Sequence, residues 1–325
     1  MKPKVFITRP MPEPVVKRLE DYCEVESHSA DSPLPENELA RILREHRIEG
    51  LLLAGARVTG QVVKEAAQLR VVANAGVGYD NVDVAACSAR RIPVTNTGGV
   101  LEETTADLVF ALLLSVARRV VEGDRFIREG GWKQWSWSLL WGSDIHHRTL
   151  GIYGFGNIGQ AVARRARGFS MRILYHSRRR VDRGIEREMG AEYVSKETLL
   201  AESDFITLHV PYAPETHHLM GKTELALMKP SAFLINTARG KVVDEAALAE
   251  ALESGGLAGA GLDVFEEEPQ IHPSLLKLPN VVLTPHVGSG TAATRLKMAS
   301  LAAENLLAAL QGRRPPNVVN PEIYC

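Results

Sequence analysis

Cysteine is scarce in this chain. Cys23, Cys87 and Cys325 are the only three, and their spacing suits neither a disulfide framework nor a metal knuckle. Charge of one sign is lacking too: 38 lysines and arginines stand against 39 acids, a formal net charge of −1. That balance argues against a nucleic acid or an anionic membrane as partner. No apolar run is long enough to span a bilayer; the longest, residues 108–114, has seven residues. The opening Met1-Lys-Pro-Lys-Val-Phe-Ile-Thr8 reads as a first strand and has no signal-peptide core, so a cytoplasmic protein is expected. Aromatics make up only 6%, yet all four tryptophans fall within residues 132–141. What is present is an ordinary 45% hydrophobic content over 325 residues, enough for two domains with ample cores.

Strand-like and helix-like stretches alternate with short connections. Strands are expected near residues 4–8, 23–27, 50–54, 69–73 and 93–95, with helices near 14–21, 36–45, 59–67 and 82–90 between them. A long helix starts near Glu103. Further strands are expected near 150–153, 171–177, 205–209, 233–236, 259–262 and 281–284, then a last helix over 291–310. Such alternation predicts an α/β protein with parallel sheets covered by helices on both faces. No sequence repeat is visible. The boundaries predicted are 1–99 with 288–325 for one domain and 100–287 for the other, the last helix returning to the first so that two crossings form a hinge.

Thr149-Leu-Gly-Ile-Tyr-Gly-Phe-Gly-Asn-Ile-Gly-Gln160 places Gly154, Gly156 and Gly159 at G-x-G-x-x-G spacing, after an apolar strand and before an Ala- and Arg-rich helix. That context is what a dinucleotide fingerprint needs. The first glycine permits the tight turn, the second lets backbone approach a pyrophosphate, and the third lets helix pack on strand. The helix N-terminus at Asn157 and Ile158 offers free N–H groups to phosphate. At the tip of the next strand, where NAD-binding versions place an acid on the ribose, stands Ser177 followed by Arg178, Arg179 and Arg180. A hydroxyl and guanidiniums suit a 2′-phosphate that a carboxylate would repel, which points to NADP(H), with NAD(H) at lower preference. A solvated basic turn is the bland alternative.

Three motifs end successive strands in the C-terminal half: Asn236-Thr-Ala-Arg-Gly240, Asp263-Val-Phe-Glu-Glu-Glu-Pro269 and Pro285-His-Val-Gly-Ser289. Strand C-termini are where open α/β sheets place ligand groups. Taken singly, each Arg, Glu or His could be a surface residue, a cap or a packed strand end. Together they supply a cation for a carboxylate or carbonyl, a proton carrier, and a carboxylate to tune it. That set can move a hydride and a proton across a 2-keto acid.

The four motifs, in this order, resemble those of the D-isomer-specific 2-hydroxyacid dehydrogenases along essentially the whole chain. Within that family the chain is most similar to glyoxylate/hydroxypyruvate reductases and 2-ketogluconate reductases, through Ala75-Gly-Val-Gly-Tyr-Asp-Asn-Val-Asp83, Glu103-Thr-Thr-Ala-Asp107 and Trp141-Gly-Ser-Asp-Ile-His-His-Arg-Thr-Leu-Gly151. The resemblance implies two doubly wound domains, a flavodoxin-like substrate domain and a Rossmann dinucleotide-binding domain, usually in a homodimer. It implies that Arg239 holds the substrate carboxylate, that His286 protonates the C2 oxygen, and that Glu268, next to Pro269, pairs with His286. Glu266 and Glu267 would be solvated. Val77 and Gly78 would offer N–H groups to the carboxylate. Thr105, Phe155, Val210, Pro211, Thr237, Ala238, Gly288 and Ser289 would line the cofactor with the fingerprint residues, Arg239 and His286. Asp263 would bond the nicotinamide amide, or else merely cap its strand. Leu139 and Trp141 would bound the pocket of a partner subunit. Gly290-Thr291 departs slightly from the Ala-Thr usual after this family's Gly-Ser.

The implied function is NADPH-dependent reduction of glyoxylate, hydroxypyruvate and, as a further candidate, 2-ketogluconate to D-2-hydroxy acids. A second reading keeps the fold without the chemistry: a non-catalytic dimer that senses dinucleotide and binds proteins, as corepressors resembling this family do. The adjacent His146 and His147 diverge without an acidic cluster and are read as structural, so no metal is expected.

Overall fold

The computed structural model describes residues 2–325. The chain divides into two units. One runs through Leu101 and resumes at Gly290; the other is Glu102–Ser289, so the crossings lie two residues beyond those predicted.

The first unit carries β1 (Lys4–Ile7), β2 (Glu24–Ser27), β3 (Gly50–Leu53), β4 (Val71–Asn74) and β5 (Val94–Thr95), with α1 (Glu13–Glu20), α2 (Glu36–Glu45), α3 (Gly60–Glu65) and α4 (Val84–Ala89) between them. All pairings are parallel, in the order β2-β1-β3-β4-β5. This is the flavodoxin-like order expected of the substrate domain. Each residue of β3 and β4 is buried, because helices cover both faces and a strand so placed must be apolar on both sides.

The second unit opens with α5 (Glu102–Ala117) and α6 (Val120–Arg128), followed by an irregular tryptophan-bearing segment. Then come β6 (Thr149–Tyr153), α7 (Asn157–Gly168), β7 (Arg172–His176), α8 (Arg183–Met189), β8 (Ala191–Tyr193), α9 (Lys196–Glu202) and β9 (Phe205–Leu208). The rest is α10 (Lys222–Leu227), β10 (Phe233–Asn236), α11 (Glu245–Glu253), β11 (Gly259–Leu262) and β12 (Val281–Leu283). The seven parallel strands lie in the order β12-β11-β10-β9-β6-β7-β8. The chain builds outward from β6 to β8, then jumps back to β9 on the other side. The reversal between β6 and β9 is where such sheets open a ligand crevice.

Apolar side chains from α5, α7 and the sheet form the core on one face, among them Val109, Leu113, Val162 and Ile173. The α9–α11 side packs Leu200, Leu225 and Leu248 on the other. The chain then re-enters the first unit as α12 (Ala292–Leu310), capped by the Thr291 hydroxyl on the Thr294 N–H, with Ala299, Ala303 and Leu306 in the core that it forms on β3 and β4. No helix among the described residues is long and apolar enough to cross a membrane. Strand β8 and helices α6 and α8–α11 were not anticipated from sequence, and β7 stops at His176, leaving Ser177 just outside it.

Candidate active site

The glycine fingerprint leaves β6 and enters α7 as predicted. Gly154 has φ +96°, and a Cβ there would sit 2.5 Å from the His209 carbonyl oxygen, across the reversal point of the sheet. A Cβ on Gly159 would come within 2.3 Å of the Gly154 oxygen, whereas one on Gly156 would meet nothing within 4 Å. The strand-to-helix turn therefore needs its first and third glycines for packing, and leaves its second open on the approach to α7. That helix has no side-chain cap, so its first N–H groups stay available to a pyrophosphate. Phe155 stacks its ring on Tyr175 in the core at 4.1 Å, so it can reach a ligand only through its backbone.

Further along the same strand ends, buried polar atoms lack partners: Thr237 Oγ1, and Nε2 of His209, whose burial holds its imidazole neutral with a pKa down to about 3. Those atoms are closed off from solvent, so the cradle for a dinucleotide is the open Gly156 backbone and the uncapped first turn of α7. The residues fit the cofactor.

At the tip of β7, Ser177 Oγ donates to the Arg179 carbonyl at 2.6 Å. Among the described residues the Arg178 and Arg179 guanidiniums have no hydrogen bond or ion pair, and both are exposed. Arg180 differs. It is locked in a two-pronged bond to Glu186, at 2.7 and 2.8 Å, and is not the third free guanidinium its sequence position suggested.

Arg239, Glu268 and His286 come together at the ends of β10, β11 and β12. Asn236, buried at the end of β10, accepts from Ala238 N–H and donates to the Arg239 carbonyl, each at 3.0 Å, so its amide sets the turn that aims Arg239. Gly240 follows because nothing larger fits: a Cβ would lie 1.8 Å from the Phe265 carbonyl carbon. The Arg239 turn is thus pressed directly on the loop after β11. In that loop Glu268 Oε1 accepts from the Phe265 N–H at 3.1 Å, and Oε2 meets His286 Nδ1 at 2.8 Å. Burial pushes the Glu268 carboxyl up, but the hydrogen bond and charge of His286, with the Phe265 N–H and the Arg239 charge, outweigh it and hold the group below the usual range. With Nδ1 engaged, Nε2 is the nitrogen left to exchange a proton with substrate.

Asp263 makes the bonds of a strand-end cap. Its carboxylate takes the Thr284 hydroxyl at 2.6 Å and the Val287 and Gly288 N–H groups at 2.8 Å, and burial pushes its carboxyl above the usual aspartate range. Those bonds hold His286 at φ +54°, a left-handed conformation that costs a non-glycine residue about 1 kcal/mol. Thr105, buried on α5, lies against Gly288.

One expectation is corrected here. Glu266 is not solvated: it accepts from Glu245 N–H at 2.8 Å and meets His218 Nε2 at 3.1 Å, while Glu245 accepts from Glu266 N–H at 2.6 Å. This reciprocal bracket pins the loop to α11. Glu267 alone is outward, paired with Lys241 at 2.8 Å. Asn236 and Gly240 stood in a quoted motif without a role of their own, and Glu245 was not singled out; a polar residue ending an apolar strand, and a glycine following the arginine, were the available signals.

In the first unit, Asn74 and Asn96 hold the carbonyls of Gly78 and Val77 at 2.7 and 2.9 Å, leaving the N–H groups of both residues without acceptors among the described residues. Leu139 and Trp141 lie in the irregular segment, 37% and 65% exposed. Val210 and Pro211 follow β9, and Ser289 ends the second unit. No group of three potential metal ligands occurs among the described residues.

An imidazole poised by a carboxylate, beside an arginine and a dinucleotide cradle, is the equipment of a nicotinamide-dependent dehydrogenase. Comparison with known proteins narrows the class. The family model described as D-isomer specific 2-hydroxyacid dehydrogenase, NAD binding domain, matches residues 110–288. The sequence is 51% identical to a glyoxylate reductase of Thermococcus litoralis, over 99% of this chain and 98% of that one. The crystal structure of a Thermus thermophilus protein superposes with a TM-score of 0.89 at 46% identity, covering 97% of this chain and 99% of the other. An NADPH-dependent glyoxylate/hydroxypyruvate reductase of Sinorhizobium meliloti, solved with NADP and malonate, gives 0.88 at 34% identity, covering 98% and 97%. The chain belongs to the D-isomer specific 2-hydroxyacid dehydrogenase family. It is an oxidoreductase that reduces keto acids with a nicotinamide dinucleotide.

Proposed function

We propose that the enzyme reduces glyoxylate and hydroxypyruvate to glycolate and D-glycerate, prefers NADPH, and works as a homodimer in the cytoplasm. The single observation carrying the cofactor preference is the pair of uncommitted guanidiniums, Arg178 and Arg179, beside Ser177 where an acid would select NADH. The full-length likeness to proteins named glyoxylate reductase supports the substrate.

The bound nicotinamide supplies the hydride. Arg239 binds the substrate carboxylate and draws electron density from the C2 carbonyl. His286 donates a proton from Nε2 to the C2 oxygen, and Glu268 at Nδ1 stabilises the imidazolium before transfer and fixes the ring. The free N–H groups of Val77 and Gly78 offer a further carboxylate contact. Asp263 sets the backbone on which His286 stands, and its contact to the nicotinamide amide belongs to the same reading. The exposed tryptophans, with Leu139 and Trp141, form the dimer arm that bounds the partner's pocket. 2-Ketogluconate is a further candidate substrate.

The test is steady-state oxidation of NADPH and NADH against a panel of 2-keto acids, with chiral analysis of the product. Arg178→Ala should weaken NADPH binding by roughly 1.5–3 kcal/mol, the scale of one hydrogen bond to a charged group, and leave NADH binding unchanged. Equal use of both cofactors by the unaltered enzyme would remove the NADPH reading. L-Glycerate as product would remove the D-specificity, and an unchanged substrate ratio in Trp141→Ala would remove that residue's role.

A further inference from the structure

We infer that Glu186, held between Tyr175 and Arg180, is a positioning residue for cofactor selectivity: it withholds Arg180 from the ligand and freezes the β7 tip so that Arg178 and Arg179 meet a 2′-phosphate. The inference rests on the NADPH reading above and explains how the tip achieves it.

Three groups converge on Glu186. Arg180 donates to both carboxylate oxygens, at 2.7 and 2.8 Å, and the phenol of Tyr175 donates to Oε1 at 2.7 Å. Tyr175 is fully buried in β7, and its oxygen also accepts from the Val181 N–H at 3.2 Å. A chain of bonds thus runs from the sheet interior, through phenol and carboxylate, to the far end of the tip loop. An exposed arginine–carboxylate pair by itself contributes little. This carboxylate is about nine-tenths buried and is shared with a core phenol, which turns the pair into an anchor.

Tyr193 fixes the loop's near side. It lies on β8, takes the Arg180 guanidinium over its ring at 5.6 Å, and donates its hydroxyl to the Ser177 carbonyl at 3.4 Å. The loop is therefore tied at Ser177, Arg180 and Val181, and only the side chains of 178 and 179 project without partners. A ligand that finds its two cations already placed avoids the entropy of ordering the loop, which is how preorganisation raises affinity. A dinucleotide lacking the 2′-phosphate gains nothing from that placement.

Dissociation constants for NADPH and NADH, measured by fluorescence titration of the intact enzyme, test this. Glu186→Gln should weaken NADPH roughly tenfold and change NADH by less than about twofold. Tyr175→Phe should act in the same direction but less, and carries the test if Glu186→Gln fails to fold. Arg180→Lys keeps the charge yet cannot span both oxygens, so it should lose as much NADPH affinity as Glu186→Gln, and the double variant should lose no more. Equal weakening of both cofactors, additive losses in the double variant, or full NADPH affinity in Glu186→Gln would each overturn the inference while leaving the NADPH preference standing. An unaltered enzyme without NADPH preference overturns both.

Discussion

The loop that follows β11 and the loop that follows β7 both gather charged side chains at the end of a strand, under opposite terms. After β11, Asp263, Glu266 and Glu268 each bond to backbone N–H groups, and Glu268 also holds His286. After β7 the loop is tied at Ser177, Arg180 and Val181, and the two guanidiniums between them stand in solvent without a partner. Proton transfer needs a donor fixed to within a fraction of an ångström before the substrate arrives. Cofactor choice needs charge whose partner is the ligand itself. One loop commits its charges internally and the other keeps them in reserve.

Breaking the committed loop should have the largest consequences. His286→Ala is expected to lower kcat for reduction by about 10²–10⁴-fold, the range for losing a positioned general acid, with NADPH affinity essentially unchanged. Stopped-flow hydride transfer and a separate binding titration would divide the two. If kcat survives, another group carries the proton.

Gly240→Ala should come next, through stability. With the new methyl driven into the Phe265 carbonyl carbon at 1.8 Å, either the Arg239 turn or the β11 loop must move. A loss of about 3 kcal/mol is expected, read from denaturant unfolding of the whole enzyme, with activity lost in the fraction that still folds. A folded, fully active Gly240→Ala would mean that the two loops are not pressed together.

Glu268→Gln asks how the carboxylate acts on the imidazole. Because the carboxylate bonds Nδ1 and fixes the ring, its replacement should lower kcat for reduction while leaving NADPH binding essentially unchanged. Stability gives a second reading. The Glu268 carboxyl is held below its ordinary 4.5, so its ionised form stabilises the fold fully above that value, and the contribution is lost as pH falls through the lowered native value. The gap in Tm between wild type and Glu268→Gln should therefore be present at neutral pH and close in acid. Glu267→Gln, altering an outward residue bonded to Lys241, should do neither.

The two loops also differed in how far the sequence disclosed them. Arg239, Glu268 and His286 stood out because they lie in strand-end motifs, and their separate roles were read from the resemblance of those motifs to the family's; the apolar runs around them mark parallel strands covered on both faces. The brackets were hidden. Nothing local distinguishes Glu266 from Glu267, since the difference is that Glu266 faces Glu245 on another element and Glu267 faces water. Arg180 was hidden likewise: three consecutive arginines look alike until α8 brings Glu186 beneath the last of them. Strand β8, only three residues long and partly exposed at the sheet edge, lacks the apolar run that betrays inner strands, yet it supplies Tyr193 to the tip.

Ionic strength should give the smallest effect and the sharpest contrast. Exposed charges are screened within about 10 Å at 0.1 M salt and about 3 Å at 1 M, whereas partly buried pairs are screened much less. Arg178 and Arg179 are exposed and unpaired, whereas Glu268 and His286, with side chains 37% and 50% exposed, are already in contact at 2.8 Å, inside the screening distance even at 1 M. Raising salt over that range should therefore weaken NADPH binding several-fold, with NADH binding little altered and the rate of hydride transfer at saturating NADPH unchanged. In Arg178→Ala the salt dependence of NADPH binding should fall toward that of NADH. If salt slows the saturated chemical step as strongly as it weakens NADPH binding, then the loop after β11 also depends on exposed charge, and the division between a committed and a reserved loop is lost.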